Sequence, residues 1–159
     1  MKYNILFVCL GNICRSPMAE MIFKDLINQN NMQEYIQCES RATSTAEYGN
    51  DMYPEAVKAL QQHNIPVQRN VVSMVKPEDY EKYNYIICMD YDNYDDLLMI
   101  FRGDPKKKVH LLMEYAGKNE EEIADPWYTG DFETAYAQIY EGCISLFQML
   151  MEKYEENKN

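Results

Sequence analysis

Apolar residues in this chain gather in short runs separated by amphipathic stretches. The run YNILFVC, residues 3–9, is apolar at nearly every place, the pattern of a strand buried on both faces of a parallel sheet. Beyond the loop that follows, Met18, Met21, Ile22 and Leu26 recur at helical spacing. Pro17 suits the first turn of that helix and Ser16 suits the N-cap before it. The alternation then repeats. YIQCES (35–40) predicts a strand, and YPEAVKALQQHN (53–64) a helix that ends at His63. NVVSM (70–74) predicts a short strand, KPEDYEKY (76–83) a short helix, and NYIICMD (84–90) a second buried strand. NYDDLLMIF (93–101) reads as helix and KVHLLM (108–113) as the last strand. Phe132, Ala135, Tyr136, Ile139, Tyr140, Cys143, Phe147 and Leu150 mark a long amphipathic helix, and residues 155–159 read as a fraying tail.

Strands alternating with helices imply an α/β fold with a parallel sheet covered on both faces. In that architecture ligands bind beyond the carboxyl ends of the strands, and Cys9 lies at the end of the first. The 159 residues show no repeat, linker or break in composition, so residues 1–159 read as a single domain. The longest apolar runs are strand-sized, which argues against a membrane span. The first residues carry no signal-peptide pattern, so a cytoplasmic location is expected. Five cysteines, an odd number without zinc spacing, fit neither a disulfide framework nor a metal site. DYDNYDDLL resembles a calcium loop only faintly: the sixth place lacks glycine and Phe101 stands where a bidentate glutamate belongs. No metal or cofactor is expected. A net charge of −11 argues against nucleic acid as partner, but an acidic protein can still build a local positive pocket.

VCLGNICRSP, residues 8–17, has the makings of such a pocket. It joins a strand to a helix N-terminus, where free backbone N–H groups and the helix dipole favour an anion. Gly11 permits close approach and unusual dihedrals, and Asn12 tolerates the left-handed region. Arg15 adds a permanent, planar charge that grips two oxygens at once. The same field favours Cys9 as a thiolate. A thiolate beneath a tetrahedral dianion is a phosphoryl acceptor.

CLGNICRSP resembles the signature of the low-molecular-weight protein tyrosine phosphatases, and DPWYTGDFETAY, residues 125–136, resembles the general-acid loop and final helix of that family. The likeness runs over essentially the whole chain. It implies a flavodoxin-like three-layer fold with a central, mostly parallel four-stranded sheet and helices on both faces. It also implies metal-independent hydrolysis of protein phosphotyrosine through a phosphocysteine intermediate, with inorganic phosphate as product. Cys9 would be the nucleophile, Arg15 the phosphate clamp, and Asp125 the acid and then the base.

Further roles follow from the resemblance. Leu10, Gly11, Asn12, Ile13 and Cys14 would form the phosphate loop, and Ser16 would hydrogen-bond the thiolate. Ser40 of the ESRAT segment would hold a strained Asn12. Trp127 and Tyr128 would form an aromatic rim for the substrate ring. Cys14 would trap oxidised Cys9 as a reversible disulfide. Arg41 stands where a small residue is common, so its side chain reaches the rim or is solvated. Arg69 falls in the register of a histidine that pairs with the residue here Asp90. Cys38, Cys88 and Cys143 fall in core positions. A monomer or weak homodimer is expected.

Two rivals use the same cradle. Arsenate reduction needs two further cysteines after the middle strand, where only Cys88 lies, and leaves Asp125 without a task. An arginine phosphatase of this family carries threonine at the position of Ile13, whose apolar side chain suits a phenyl ring better than a guanidinium. A catalytically dead phosphate-binding module is disfavoured by the joint presence of Cys9, Arg15 and Asp125.

Overall fold

The structure, a computed structural model, describes residues 2–158. Among them run β1 (Tyr3–Cys9), α1 (Arg15–Gln29), β2 (Ile36–Ala42), α2 (Pro54–Gln62), α3 (Asp79–Lys82) and β3 (Tyr85–Cys88). Next come α4 (Tyr91–Phe101), β4 (Val109–Leu111), a 3₁₀ turn (Leu112–Ala116), α5 (Pro126–Thr129) and α6 (Phe132–Lys158). The strands pair in the order β2-β1-β3-β4 and every pair is parallel. The fold is the three-layer α/β architecture that the pattern implies.

β1 shows why the chain folds this way. Tyr3, Ile5, Phe7 and Cys9 point into the larger core, shared with α1, α2 and α6, while Leu6 and Val8 point into a smaller one with Tyr80, Tyr83 and Leu97. Alternate side chains thus serve opposite layers, which is why the strand is apolar almost throughout. Phe23 of α1 joins the layers of the larger core, meeting Phe7 and Phe147 edge-on at 5.5 and 5.8 Å. From β1 the chain steps outward to β2 and then crosses to β3, so a crevice opens at the carboxyl end of β1.

Several element boundaries differ from the pattern. NVVSM forms one bridge, Met74 with Ala42, rather than a strand. The Asn70 and Val72 backbone N–H groups are engaged by Asp51 and Asn50 instead, which pulls the segment off the sheet edge. The helix within 76–83 shrinks to one turn, because the Asp79 carboxylate accepts from the Lys76 N–H and closes a turn ahead of it. KVHLLM leaves the sheet at Leu111 and coils into the 3₁₀ turn. The expected tail is helix as far as Lys158, anchored by Tyr154 against Tyr35 at 4.8 Å; Asn159, like Met1, lies outside the described residues. Among the described residues, no helix is long and apolar enough to cross a membrane.

Candidate active site

The loop from Cys9 to Arg15 wraps a pocket of about 220 Å³ at the carboxyl end of β1. Cys9, Leu10, Gly11, Ile13, Cys14 and Arg15 line its base, and Asp125, Trp127, Tyr128, Ser44, Ala46 and Glu47 its walls. Cys9 Sγ sits at a convergence of donors. The N–H groups of Asn12 and Ser16 point at it from 3.3 and 3.4 Å, and Ser16 Oγ lies 3.0 Å away. That hydroxyl accepts from Asn12 Nδ2 at 2.7 Å, which leaves its own proton for the sulfur. Three donors around one sulfur stabilise negative charge on it.

Asn12 is the keystone of the loop. It has φ of +58° and is wholly buried, a left-handed conformation that costs an L residue about 1–2 kcal/mol. Its side chain supplies the compensation. Besides Ser16, Nδ2 reaches Ser40 Oγ at 2.9 Å, and Ser40 in turn donates to Glu20 at 2.5 Å, itself paired with Lys24. From the other side Asn70 Nδ2 donates to the Asn12 carbonyl at 3.1 Å and to its Oδ1 at 3.4 Å. Gly11, by contrast, has no positive φ, and a Cβ there would make only ordinary contacts. The left-handed dihedral of the loop is at Asn12, not at Gly11.

Ser16 is not the N-cap. Helix α1 begins at Arg15 with Cys14 as its cap residue, and no side chain caps it. The hydroxyl is directed at Cys9 instead, and the loop itself closes the helix end.

Arg15 is 2% exposed. Nη1 donates to Asp90 Oδ2 at 2.6 Å and to the Ile123 carbonyl at 2.7 Å, and Nη2 lies 3.5 Å from Asp125 Oδ2. Burial opposes its charge, yet Cys9, Asp90 and Asp125 around it hold its pKa above the ordinary arginine value. Among the described residues Nε finds no partner, although it is buried. A buried unmatched donor is costly, and beside the pocket it is a free prong for an oxyanion. Asp90 is held by its other oxygen, which accepts from the Asn93 N–H and caps α4.

Asp125 opens a single helical turn, accepting from the Trp127 N–H at 3.0 Å. Trp127 and Tyr128 are 51% and 76% exposed. Cys14 shares the pocket with Cys9 but not its donors. Burial first, then the charges of Cys9 and Asp125, push its thiol up to about 12. Burial likewise raises Cys38, Cys88 and Cys143.

Arg41 does not line the pocket: it folds back, partly exposed, onto the Ser40 carbonyl and Glu39. Arg69 does not take part in the loop, since Asp90 is engaged by Arg15, and its neighbour Asn70 is the residue that turns inward. The sequence pattern gives no sign of Asn70 or Glu20 at the site, and Asp90, expected opposite residue 69, pairs with Arg15 instead. Among the described residues, no three His, Cys, Asp or Glu side chains converge to hold a metal ion.

A family model described as low molecular weight phosphotyrosine protein phosphatase matches residues 4–156. The human low molecular weight phosphotyrosine protein phosphatase is 37% identical over 154 residues, 94% of each chain. Among solved structures, YfkJ from Bacillus subtilis superposes with a TM-score of 0.92 at 30% identity, covering 96% of this chain and 97% of its own. A Drosophila arginine phosphatase superposes with a TM-score of 0.81 at 32% identity, covering 94% of this chain and 98% of its own.

Proposed function

The chain belongs to the low-molecular-weight phosphotyrosine protein phosphatases, and on that premise we propose how its residues divide the work. The protein is a hydrolase that cleaves phosphotyrosine in proteins and releases inorganic phosphate. The observation that carries the assignment is the trio of donors converging on Cys9 Sγ in the pocket that Arg15, with its unmatched Nε, also lines.

In the first half-reaction Cys9 attacks phosphorus, the S–P bond forms, and the P–O bond to the tyrosine breaks. Asp125 donates its carboxyl proton to the departing phenolate oxygen. Arg15 binds the equatorial oxygens with Nε and Nη2, while loop N–H groups hold the rest. In the second half-reaction water attacks the phosphocysteine, Asp125 takes its proton, and the S–P bond breaks to return the Cys9 thiolate and free phosphate. Trp127 and Tyr128 flank the substrate ring, and Ile13 gives the wall an apolar surface without a hydroxyl for a guanidinium. Cys14 serves as redox partner: peroxide oxidises Cys9 to a sulfenic acid, and Cys14 condenses with it to a disulfide, releasing water. The unpaired thiols and the acidic surface suit a single-domain protein of the reducing cytoplasm, monomeric or weakly dimeric.

Phosphate release from matched phosphotyrosine, phosphoserine and phosphoarginine peptides tests this reading. Selective phosphotyrosine turnover, lost in Cys9→Ser and slowed in Asp125→Ala, supports it. Preferred turnover of phosphoarginine overturns the substrate assignment, and full activity in Cys9→Ser overturns the mechanism.

A further inference from the structure

Tyr53 lines no part of the pocket, yet it touches both loops that form it. Its backbone N–H donates to the Ile13 carbonyl at 2.9 Å, on the outer side of the phosphate loop. Its ring meets the Trp127 ring edge-on at 4.9 Å and 72°, and stacks on Phe132 at 5.9 Å and 16°. Local sequence fixes the backbone from which that ring projects. Tyr53 precedes Pro54, which excludes the helical region for it, and it caps α2 at φ −62° and ψ 135°.

The contacts continue into the site and close on themselves. Trp127, whose indole Tyr53 holds, donates its backbone N–H to Asp125 Oδ1. Asp125 Oδ2 faces Arg15, which lies in the same loop as Ile13. Upstream the acid loop is anchored by buried Ile123, whose N–H donates to the Met89 carbonyl and whose carbonyl accepts from Arg15, and by buried Pro126; among the described residues the aromatic partner of its exposed indole is Tyr53. The loop is one helical turn with an exposed indole, ending at Gly130 in the left-handed region. An aromatic pair imposes orientation as well as contact, and proton transfer is sensitive to small errors of position.

We propose that Tyr53 is a positioning residue for proton transfer: its ring sets Trp127, and through it Asp125, over the oxygen that leaves. The proposal rests on Asp125 being the general acid. Tyr53 acts with its ring and not with its hydroxyl.

The test uses two aryl phosphates. A nitrophenyl group departs without help from an acid, whereas an unsubstituted phenyl group needs a proton. In Tyr53→Ala, kcat/KM for phenyl phosphate should fall about tenfold more than for nitrophenyl phosphate, part of the 10²–10⁴ that a general acid supplies. Tyr53→Phe should keep both values. Tyr53→Leu, which fills the volume without an aromatic ring, should repeat the selective loss and carries the test if the alanine variant does not fold. In an Asp125→Ala background the Tyr53 substitution should add no further selectivity. Equal losses on both substrates, no loss, or a loss in Tyr53→Phe equal to that in Tyr53→Ala would overturn the proposal. Asp125→Ala alone separates the two levels. If it fails to discriminate between the leaving groups, the acid assignment itself has failed, whatever Tyr53 does.

Discussion

Asn12, Ile13, Cys14 and Arg15 are each at most 9% exposed, while Trp127 and Tyr128, across the same pocket, stand largely in solvent. The phosphate loop is held by Ser16, Ser40, Asn70, Asp90 and the Ile123 carbonyl, contributed by five separate stretches of chain. The acid loop is held by its own one-turn helix, Arg15 and the Tyr53 ring. The difference matches the tasks proposed for the two loops. Binding a dianion at a thiolate requires dipoles already aimed before the ligand arrives. Delivering a proton and then collecting one requires a group that substrate and product can pass.

The largest expected effect tests the rigid side. Cys9→Ser should abolish turnover, with phosphate binding retained because the loop donors remain; calorimetry with inorganic phosphate measures this, and loss of binding would mean that the sulfur organises the loop. Next comes the exposed side. Asp125→Ala should lower kcat about 10²–10⁴-fold and leave the urea midpoint almost unchanged, since the carboxylate supports only a single turn. A large loss of stability would erase the contrast between the loops.

Asn12 sharpens it. Asn12→Ala keeps the left-handed strain and loses the bonds that offset it, so it should cost about 2–4 kcal/mol of stability. Asn12→Gly removes the strain and should cost less, while turnover falls in both; equal stabilities would mean that strain is not the issue. The smallest effect concerns Cys14. Its thiol ionises at the ordinary value of 9.0 in the unfolded chain and near 12 in the fold. Below pH 9 both states are protonated and Cys14 adds no pH dependence. Between pH 9 and 12 only the unfolded chain releases the proton, so stability falls with rising pH, at most about 1.4 kcal/mol per unit. Cys14→Ala should flatten that fall in urea titrations.

The two loops also differ in how far they could be read from the sequence. The phosphate loop announced itself, because Cys9, Gly11, Asn12, Arg15 and Ser16 are near neighbours after an apolar run, and DPWY stood out likewise. Of its supports, Ser16 and Ser40 came with the family resemblance, whereas the pairings made by Asn70 and Asp90 had no such signal. Asp90 reaches Arg15 across 75 residues and Asn70 reaches Asn12 across 58; the parallel sheet and its crossovers bring them together, and local spacing carries no trace of that. Arg69 stands out because it falls in the register of a family histidine, whereas its neighbour Asn70 looks like loop punctuation. Of the two readings of Ser16, the residue type suggests a cap and the resemblance a partner for the thiolate; the hydroxyl lies against Cys9 Sγ and does not cap the helix. Tyr53, read as the start of a helix, gave no hint that its ring would bridge two loops.

The Asp90 carboxylate beside Arg15 bears on how turnover ends. It engages one arm of the guanidinium at 2.6 Å, so the charge offered to a phosphate is already partly neutralised. Product therefore meets a site that is strong in directed dipoles and weak in net attraction. Inorganic phosphate should dwell briefly and inhibit only at high concentration, leaving the enzyme free to turn over as its own product accumulates.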